Sequence, residues 1–199
     1  MKLIGSLTSP YVRKVRIVLA EKQINYDFEV DVPWNAQTQV SNHNPLGKIP
    51  ILVLDEKSSL YDSRVIAEYI DSLETQSVMT RLIPGSGDAR WRVKRWEALA
   101  DGICDAAATI FLERKRPPSQ QSEDWIARQQ KKIDLGLSEA ANELGDKDRC
   151  VGETISLADI ALGCALGYLT FRFPQIAWRQ SYPNLNRLTE KLAQRASFI

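Results

Sequence analysis

A proline at the start of an apolar run is the feature that most constrains how this chain can fold. Pro50 precedes the apolar residues 51–54 and follows a turn over residues 44–48 that contains Gly47. Proline has no N–H to donate to a β ladder. The run is therefore predicted to be a strand in which Pro50 is either the first residue or lies at an edge of the sheet. The proline also holds Ile49 in an extended conformation. We therefore expect the N–H and C=O of Ile49 to face outward, toward a peptide-like ligand.

A helix start follows the strand at Asp62 and Ser63. Asp62 is a good N-cap residue, and an apolar stripe predicts the helix, formed by Val65, Ile66, Tyr69, Ile70 and Leu73. The first N–H groups of a helix have no partner within it and favour anions. The pattern thus predicts an extended residue at a strand end together with a binding position for a carboxylate.

This combination resembles the glutathione-binding domain of the glutathione S-transferase superfamily. The resemblance implies that the Ile49–Pro50 bond is cis and that Ile49 pairs with the cysteinyl backbone of glutathione. It further implies that Asp62 and Ser63 hold the γ-glutamyl end, with Lys48 a candidate for the glycyl carboxylate. The family more often has Glu or Gln in place of Asp62, whose side chain is one methylene shorter than that of Glu. Glutathione, as co-substrate or ligand, and a homodimer are implied as well.

Ser9, Pro10 and Tyr11 are predicted to join the first strand to the first helix, where thioredoxin-like proteins hold a working sulfur. A serine cannot exchange disulfides, so thiol redox chemistry at this position is excluded. The Ser9 hydroxyl and the helix N-terminus would instead stabilise the thiolate of bound glutathione. Two alternatives remain open: Ser9 is only the helix N-cap, or Tyr11 supplies the catalytic hydroxyl.

The two halves of the chain differ in periodicity. Up to about residue 75 the order β-α-β-α-β-β-α on a mixed sheet predicts a thioredoxin-like domain, with strands over residues 2–7, 26–32, 51–54 and 58–61. The predicted hairpin loop spans residues 55–57, and residues 35–43 are compatible with an irregular helix. We predict domains at residues 1–78 and 88–199, joined by a linker over residues 79–87 that is rich in proline and glycine.

Only helices are predicted in the second half. Apolar stripes cover residues 96–111 and 126–144, with Gly145 placed to stop the second. Ser156 and Asp159 form the pattern of a capping box. The helix that they start is apolar on every side, so we expect it at the centre of a helical bundle.

Composition excludes several classes of function. A net charge of +1 over 199 residues argues against a nucleic acid or an anionic membrane surface as partner. No apolar run approaches the ~18–20 residues of a membrane span. Three scattered cysteines and a single histidine, His43, predict no metal site and a reducing, cytoplasmic environment.

The sequence therefore predicts a cytoplasmic glutathione-binding protein that is similar to glutathione S-transferases. It would use the bound thiolate to attack a small electrophile. The alternative is a non-catalytic protein on the same scaffold that binds glutathione or docks a partner. A glutathione-dependent reductase is disfavoured, because the redox cysteine is replaced by Ser9.

Overall fold

The computed structural model describes residues 1–56, 58–74 and 81–199, which form two compact units. The first unit comprises residues 1–85 and Phe198, and the second comprises residues 86–197 and Ile199. The predicted domain end at residue 78 and the start of the predicted linker at residue 79 lie outside the described residues. Lys57 of the predicted hairpin loop lies outside them too.

The first unit has the predicted order of strands and helices. Its elements are β1 (Lys2–Gly5), α1 (Pro10–Glu21), β2 (Asp27–Val30), α2 (Val40–His43), β3 (Ile51–Val53), β4 (Ser59–Leu60) and α3 (Ser63–Ser72). The sheet order is β2-β1-β3-β4. β1 is parallel to β2 and antiparallel to β3, and β3 is antiparallel to β4. The mixed sheet of a thioredoxin-like unit is confirmed.

One detail of the predicted periodicity is wrong. Val65 was placed in the buried stripe of α3, yet it is exposed, whereas Ile66 and Ile70 are fully buried. Neighbouring helical residues are about 100° apart around the axis, so a stripe assigned from sequence is uncertain at its margins.

A glycine brings the first turn of α1 against the sheet. Gly5 is the last residue of β1, and a Cβ atom built on it would lie 2.5 Å from Cγ2 of Val12. Real Cβ atoms do not approach another carbon so closely, so a larger residue would push the helix away. Gly5 therefore determines how near Ser9, the N-cap of α1, lies to the end of β1.

A buried ion pair joins the ends of α1 and α3. Lys22 Nζ lies 3.4 Å from Asp71 Oδ1 and also donates to the Asp71 carbonyl oxygen at 3.3 Å. The same carboxylate accepts the backbone N–H groups of Leu82 at 2.8 Å and Ile83 at 3.0 Å. Asp71 thus compensates for its burial with three donors and fixes the chain at residues 82–83.

The second unit is helical, as predicted. Its helices are α4 (Gly87–Glu113), α5 (Glu123–Leu144), α6 (Leu157–Arg172), α7 (Trp178–Ser181) and α8 (Pro183–Ala193), with a 3-10 turn at Pro118–Gln120. α6 is buried over most of its length and packs on α4 and α8. α4 also packs on α5, where Gly136 admits the side chain of Ile103. The predicted central helix is confirmed.

Asp159 has the predicted structural role. Its Oδ2 accepts the N–H of Ser156 at 2.9 Å and the Ser156 hydroxyl at 3.0 Å, while its Oδ1 accepts the N–H of Cys150 at 2.9 Å. Gly145 ends α5 with a φ of 52°. The capping box and the helix stop predicted from sequence are therefore both confirmed.

The described helices include none with the length and apolar character needed to cross a membrane. The three cysteines, Cys104, Cys150 and Cys164, are free thiols and buried. Burial and the nearby Asp159 carboxylate raise the pKa of Cys150 well above its usual range. This thiol is consequently unreactive in the folded protein.

Candidate functional site

The turn before β3 is held from inside by one amide side chain. Asn44, only 2% exposed, donates from Nδ2 to the Lys48 carbonyl oxygen at 2.9 Å and accepts the Leu46 N–H at 3.0 Å. Its own carbonyl oxygen accepts the Gly47 N–H at 2.9 Å. Gly47 has a φ of 62°, which favours glycine. Three hydrogen bonds of one residue thus fix the backbone that leads to Ile49.

Ile49 lies just outside the β ladder. The antiparallel register of β1 and β3 begins with the pair of Ile4 and Ile51, so the backbone of Ile49 takes no part in it. The Ile49–Pro50 bond is cis, as the family resemblance implied. Pro50 is buried, Ile49 is half-buried and Lys48 is exposed. An extended ligand can add to a strand end of this kind through main-chain hydrogen bonds.

The N-terminus of α3 offers unpaired donors. Asp62, the N-cap, accepts the Arg64 N–H at 2.9 Å through its side chain and the Ile66 N–H at 3.0 Å through its carbonyl oxygen. Capping by Asp62 is therefore confirmed. Ser63, the first residue of the helix, is 3% exposed, and its hydroxyl has no partner among the described residues. The hydroxyl and the N–H groups of the first helical turn together suit an incoming anion.

Ser9 is the N-cap of α1, and Pro10 occupies the first helical position, as predicted. The Ser9 Oγ accepts the N–H of Val12 at 3.3 Å. This bond uses a lone pair of the hydroxyl and leaves its proton for another acceptor. Ser9 and Tyr11 are both half-buried.

The register of the strands brings these positions together at one edge of the sheet, the edge formed by the ends of β1 and β4 and the start of β3. β1 ends beside the start of β3, because Ile4 pairs with Ile51, and β4 ends beside Leu52 of β3. Ser9 follows β1, Ile49 precedes β3 and Ser63 follows β4. The predicted residues are thus grouped by strand pairing although they are up to 54 positions apart, from Ser9 to Ser63. Within the described residues, no group of three or more His, Cys, Asp or Glu side chains could hold a metal ion.

Comparison with known proteins gives the family. Residues 8–73 match the glutathione S-transferase N-terminal domain, and residues 123–191 match the glutathione S-transferase C-terminal domain. The uncharacterized GST-like protein YibF of Escherichia coli K12 is 44% identical over 198 residues, which cover 100% of this chain and 96% of that protein. The chain belongs to the glutathione S-transferase superfamily.

Solved structures agree with this assignment. A glutathione S-transferase from Methylobacillus flagellatus, with glutathione bound, is 47% identical and has a TM-score of 0.94, covering 99% of this chain and 96% of that one. A glutathione transferase family member from Pseudomonas fluorescens, with bound S-(propanoic acid)-glutathione, is 39% identical with a TM-score of 0.82, covering 100% and 96%. The transferase fold, a thioredoxin-like unit followed by a helical one, is confirmed.

Two residues that support this candidate site are not indicated by the sequence. Asn44 was read only as part of a turn, and its paired bonds to Leu46 and Lys48 were not expected. An Asn that precedes a proline and a glycine within four residues was the available signal, since Asn side chains often bond to the backbone of their own turn. Gly5 gave no signal, because its closeness to Val12 depends on tertiary packing.

Proposed function

We propose that this protein binds glutathione at the described sheet edge and stabilises its thiolate for attack on a small electrophile. In this proposal the backbone of Ile49 pairs with the cysteinyl part, and Ser63 with the N-terminal N–H groups of α3 binds the γ-glutamyl carboxylate. The observation that carries the proposal is the position of Ser63 as the first residue of α3, where its hydroxyl lies beside the N–H groups of the first helical turn. Both features favour a carboxylate at this position.

Ser9 is the proposed catalytic residue. A thiol with a pKa of about 8.5 is mostly protonated at pH 7, and the thiolate is the nucleophile. A hydroxyl donor at the N-terminus of α1 would stabilise the thiolate. The thiolate then forms a thioether with the electrophilic carbon, either by displacing a leaving group that departs with its bonding electrons or by adding to a polarised double bond that afterwards takes up a proton from water. Glutathione and S-(propanoic acid)-glutathione, bound by the two relatives, have the forms of the co-substrate and of a conjugate. Tyr11 remains the alternative donor.

Further parts of the proposal concern the ends of the ligand and the assembly. Asp62 is exposed and has one carboxylate oxygen beyond its capping bond, so we assign it to the amino group of the γ-glutamyl end. Lys48 is exposed and is assigned to the glycyl carboxylate. We also propose a cytoplasmic homodimer that needs no metal, with domains at residues 1–78 and 88–199.

The ligand site is tested by calorimetric titration with reduced glutathione. Charge-assisted hydrogen bonds contribute about 1.5–3 kcal/mol, so Ser63→Ala should weaken binding about tenfold or more. Ser72→Ala is the matched control, because that hydroxyl lies at the other end of α3, is exposed and donates to the Tyr69 carbonyl oxygen. Equal affinities of the two variants would refute the assignment of Ser63.

The role of Ser9 is tested on the bound thiol. If Ser9 faces the sulfur, Ser9→Ala raises the pKa of bound glutathione, measured by thiolate absorbance, and slows conjugation with little change in affinity. Ser9→Cys should form a mixed disulfide with oxidised glutathione, detected at residue 9 by mass spectrometry. Absence of that adduct would favour Tyr11. Tight binding without conjugation of any of a broad set of electrophiles would favour the non-catalytic alternative.

A further inference from the structure

We propose that Ser59 of β4 is a positioning residue of the glutathione site, which holds together the two chain segments that bind the two halves of the ligand. The first segment runs from α2 through the turn to Ile49, and the second runs from β4 to Ser63 at the N-terminus of α3. This role rests on the proposed function. It assigns to that function a residue that acts through others.

One hydrogen bond joins the two segments directly. The hydroxyl of Ser59 donates to the His43 carbonyl oxygen at 2.7 Å. His43 is the last residue of α2, and Ser59 lies in the short strand that leads to Asp62, the N-cap of α3. Both ends of the bond are half-buried, so competition from water is reduced.

Apolar packing attaches α2 to the sheet at its other end. Val40, the first residue of α2, is buried in an apolar cluster with residues of β1 and β3, and Ile49 and Val53 pack against the same cluster. Ser59 is opposite Val53 in the register of β3 and β4. Side chains that are directly opposite each other share a face of the sheet. The Ser59 hydroxyl therefore lies on the face where α2 packs, and it secures the end of α2 that the cluster does not.

A helix as short as α2 depends on such attachments. It is four residues long, and its N-cap, Gln39, makes no side-chain capping bond. Isolated helices of fewer than about 12–15 residues are marginal in water. The turn that begins at Asn44 follows His43 directly, so a displaced helix end would move that turn. The backbone of Ile49 would then shift relative to the N-terminus of α3.

Glutathione spans both segments in the proposed function. Its cysteinyl backbone pairs with Ile49, and its γ-glutamyl carboxylate binds at Ser63. Both sets of contacts form together only when the spacing of the segments matches the ligand, and a spacing fixed in advance reduces the entropy lost on binding. Loss of the bond between Ser59 and His43 should therefore lower the affinity for glutathione.

Calorimetric titration with reduced glutathione tests this role on two matched pairs of variants. Ser59→Ala should weaken binding about two- to tenfold, which corresponds to the loss of one neutral hydrogen bond. Ser58→Ala is its control, because the Ser58 hydroxyl also donates over 2.7 Å, but to Asp55 within the exposed hairpin loop. Ser59→Thr should bind as the parent does, and Ser59→Val as weakly as Ser59→Ala. Thr and Val are both branched at Cβ and suit a strand, so this pair isolates the hydroxyl.

Hydrogen exchange of the ligand-free protein adds a local measurement. The N–H of Gly47 donates to the Asn44 carbonyl oxygen at 2.9 Å, and it should exchange faster in Ser59→Ala and Ser59→Val. The N–H of Ile24 donates to the Leu19 carbonyl oxygen at 2.9 Å and should keep its rate. A general loss of stability would raise both rates.

The outcomes separate the role of Ser59 from the proposed function. A parent protein that binds no glutathione would refute both. If the parent binds glutathione, equal affinities of Ser59→Ala and Ser58→Ala, or of Ser59→Thr and Ser59→Val, would overturn the role of Ser59 and leave the proposed function standing. An unchanged exchange rate of Gly47 in Ser59→Ala would overturn it as well, because the segment that leads to Ile49 would then not depend on the hydroxyl.

Discussion

The turn that leads to Ile49 is predicted to depend on the amide of Asn44. In Asn44→Asp the side chain keeps its shape and can still accept the Leu46 N–H. In the parent, Nδ2 of Asn44 lies 2.9 Å from the Lys48 carbonyl oxygen and donates to it. At neutral pH the carboxylate oxygen that replaces Nδ2 in the variant has no proton to donate. A lost hydrogen bond costs about 1 kcal/mol, and an unsatisfied buried acceptor about 1–3 kcal/mol more. We therefore expect the free energy of unfolding to fall by about 2–4 kcal/mol.

The same change should weaken glutathione binding, although Asn44 is not a proposed ligand contact. Without the bond to Lys48, the backbone of the turn would have to be ordered when glutathione binds. Ordering the backbone of one residue costs about 1–2 kcal/mol, which corresponds to about tenfold in affinity. Urea unfolding followed by circular dichroism gives the first quantity, and calorimetric titration gives the second. Asn42→Asp is the control, because the amide of Asn42 is exposed and bonds only to the nearby Gln39 side chain.

Lowering the pH adds an internal check. Burial raises the pKa of the new carboxyl at position 44 in the folded state above its unfolded value. The protonated form can donate to Lys48 again, so the stability difference from the parent should be smallest below the unfolded pKa of about 3.9 and largest above the folded pKa. A stability loss equal to that of Asn42→Asp, or an unchanged glutathione affinity, would contradict the proposed role of Asn44.

Two further predictions concern stability and reactivity. Asp71→Asn should lower the free energy of unfolding by about 3–5 kcal/mol, because it breaks a buried ion pair and removes an acceptor from a backbone N–H. Lys22→Met should cost at least 1 kcal/mol less by the same urea assay, since two N–H donors still compensate Asp71; equal costs would contradict this account. Cys150 should resist aromatic disulfide reagents in the folded protein. Because its folded pKa is raised, its contribution to stability should fall above pH ~8.5, where the unfolded thiol ionises, and Cys150→Ala should remove that decline.

Signals that are local in the sequence predicted most of the fold. The capping roles of Asp62, Ser156 and Asp159 are predictable from sequence because each capping bond joins residues no more than four positions apart. The further bond from the Cys150 N–H to Asp159 spans nine positions and is not part of that pattern. The order of strands and helices follows from periodicity, which is local as well. The register that groups Ser9, Ile49 and Ser63 at one sheet edge is not local, and only their resemblance to a family motif suggested it.

The features that sequence reasoning missed are contacts between distant residues. Lys22 and Asp71 are 49 positions apart, and each alone reads as an ordinary charged residue on a helix. Arg172 and Phe111 come from different helices, α6 and α4. Neither pairing has a repeating pattern, so no period or spacing indicates it. Such contacts are decided by packing, which composition and propensity do not determine.

Ser9 shows that a structural and a catalytic role need not be alternatives. As N-cap it accepts the N–H of Val12, and that bond polarises the hydroxyl so that its own proton becomes a better donor. A thiolate at the end of β1 would accept a hydrogen bond from this hydroxyl while the cap stays intact. Ser9→Ala should therefore lower stability by about 0.5–2 kcal/mol and also raise the pKa of the bound thiol. Two separate effects of one substitution are what distinguish a shared role from capping alone.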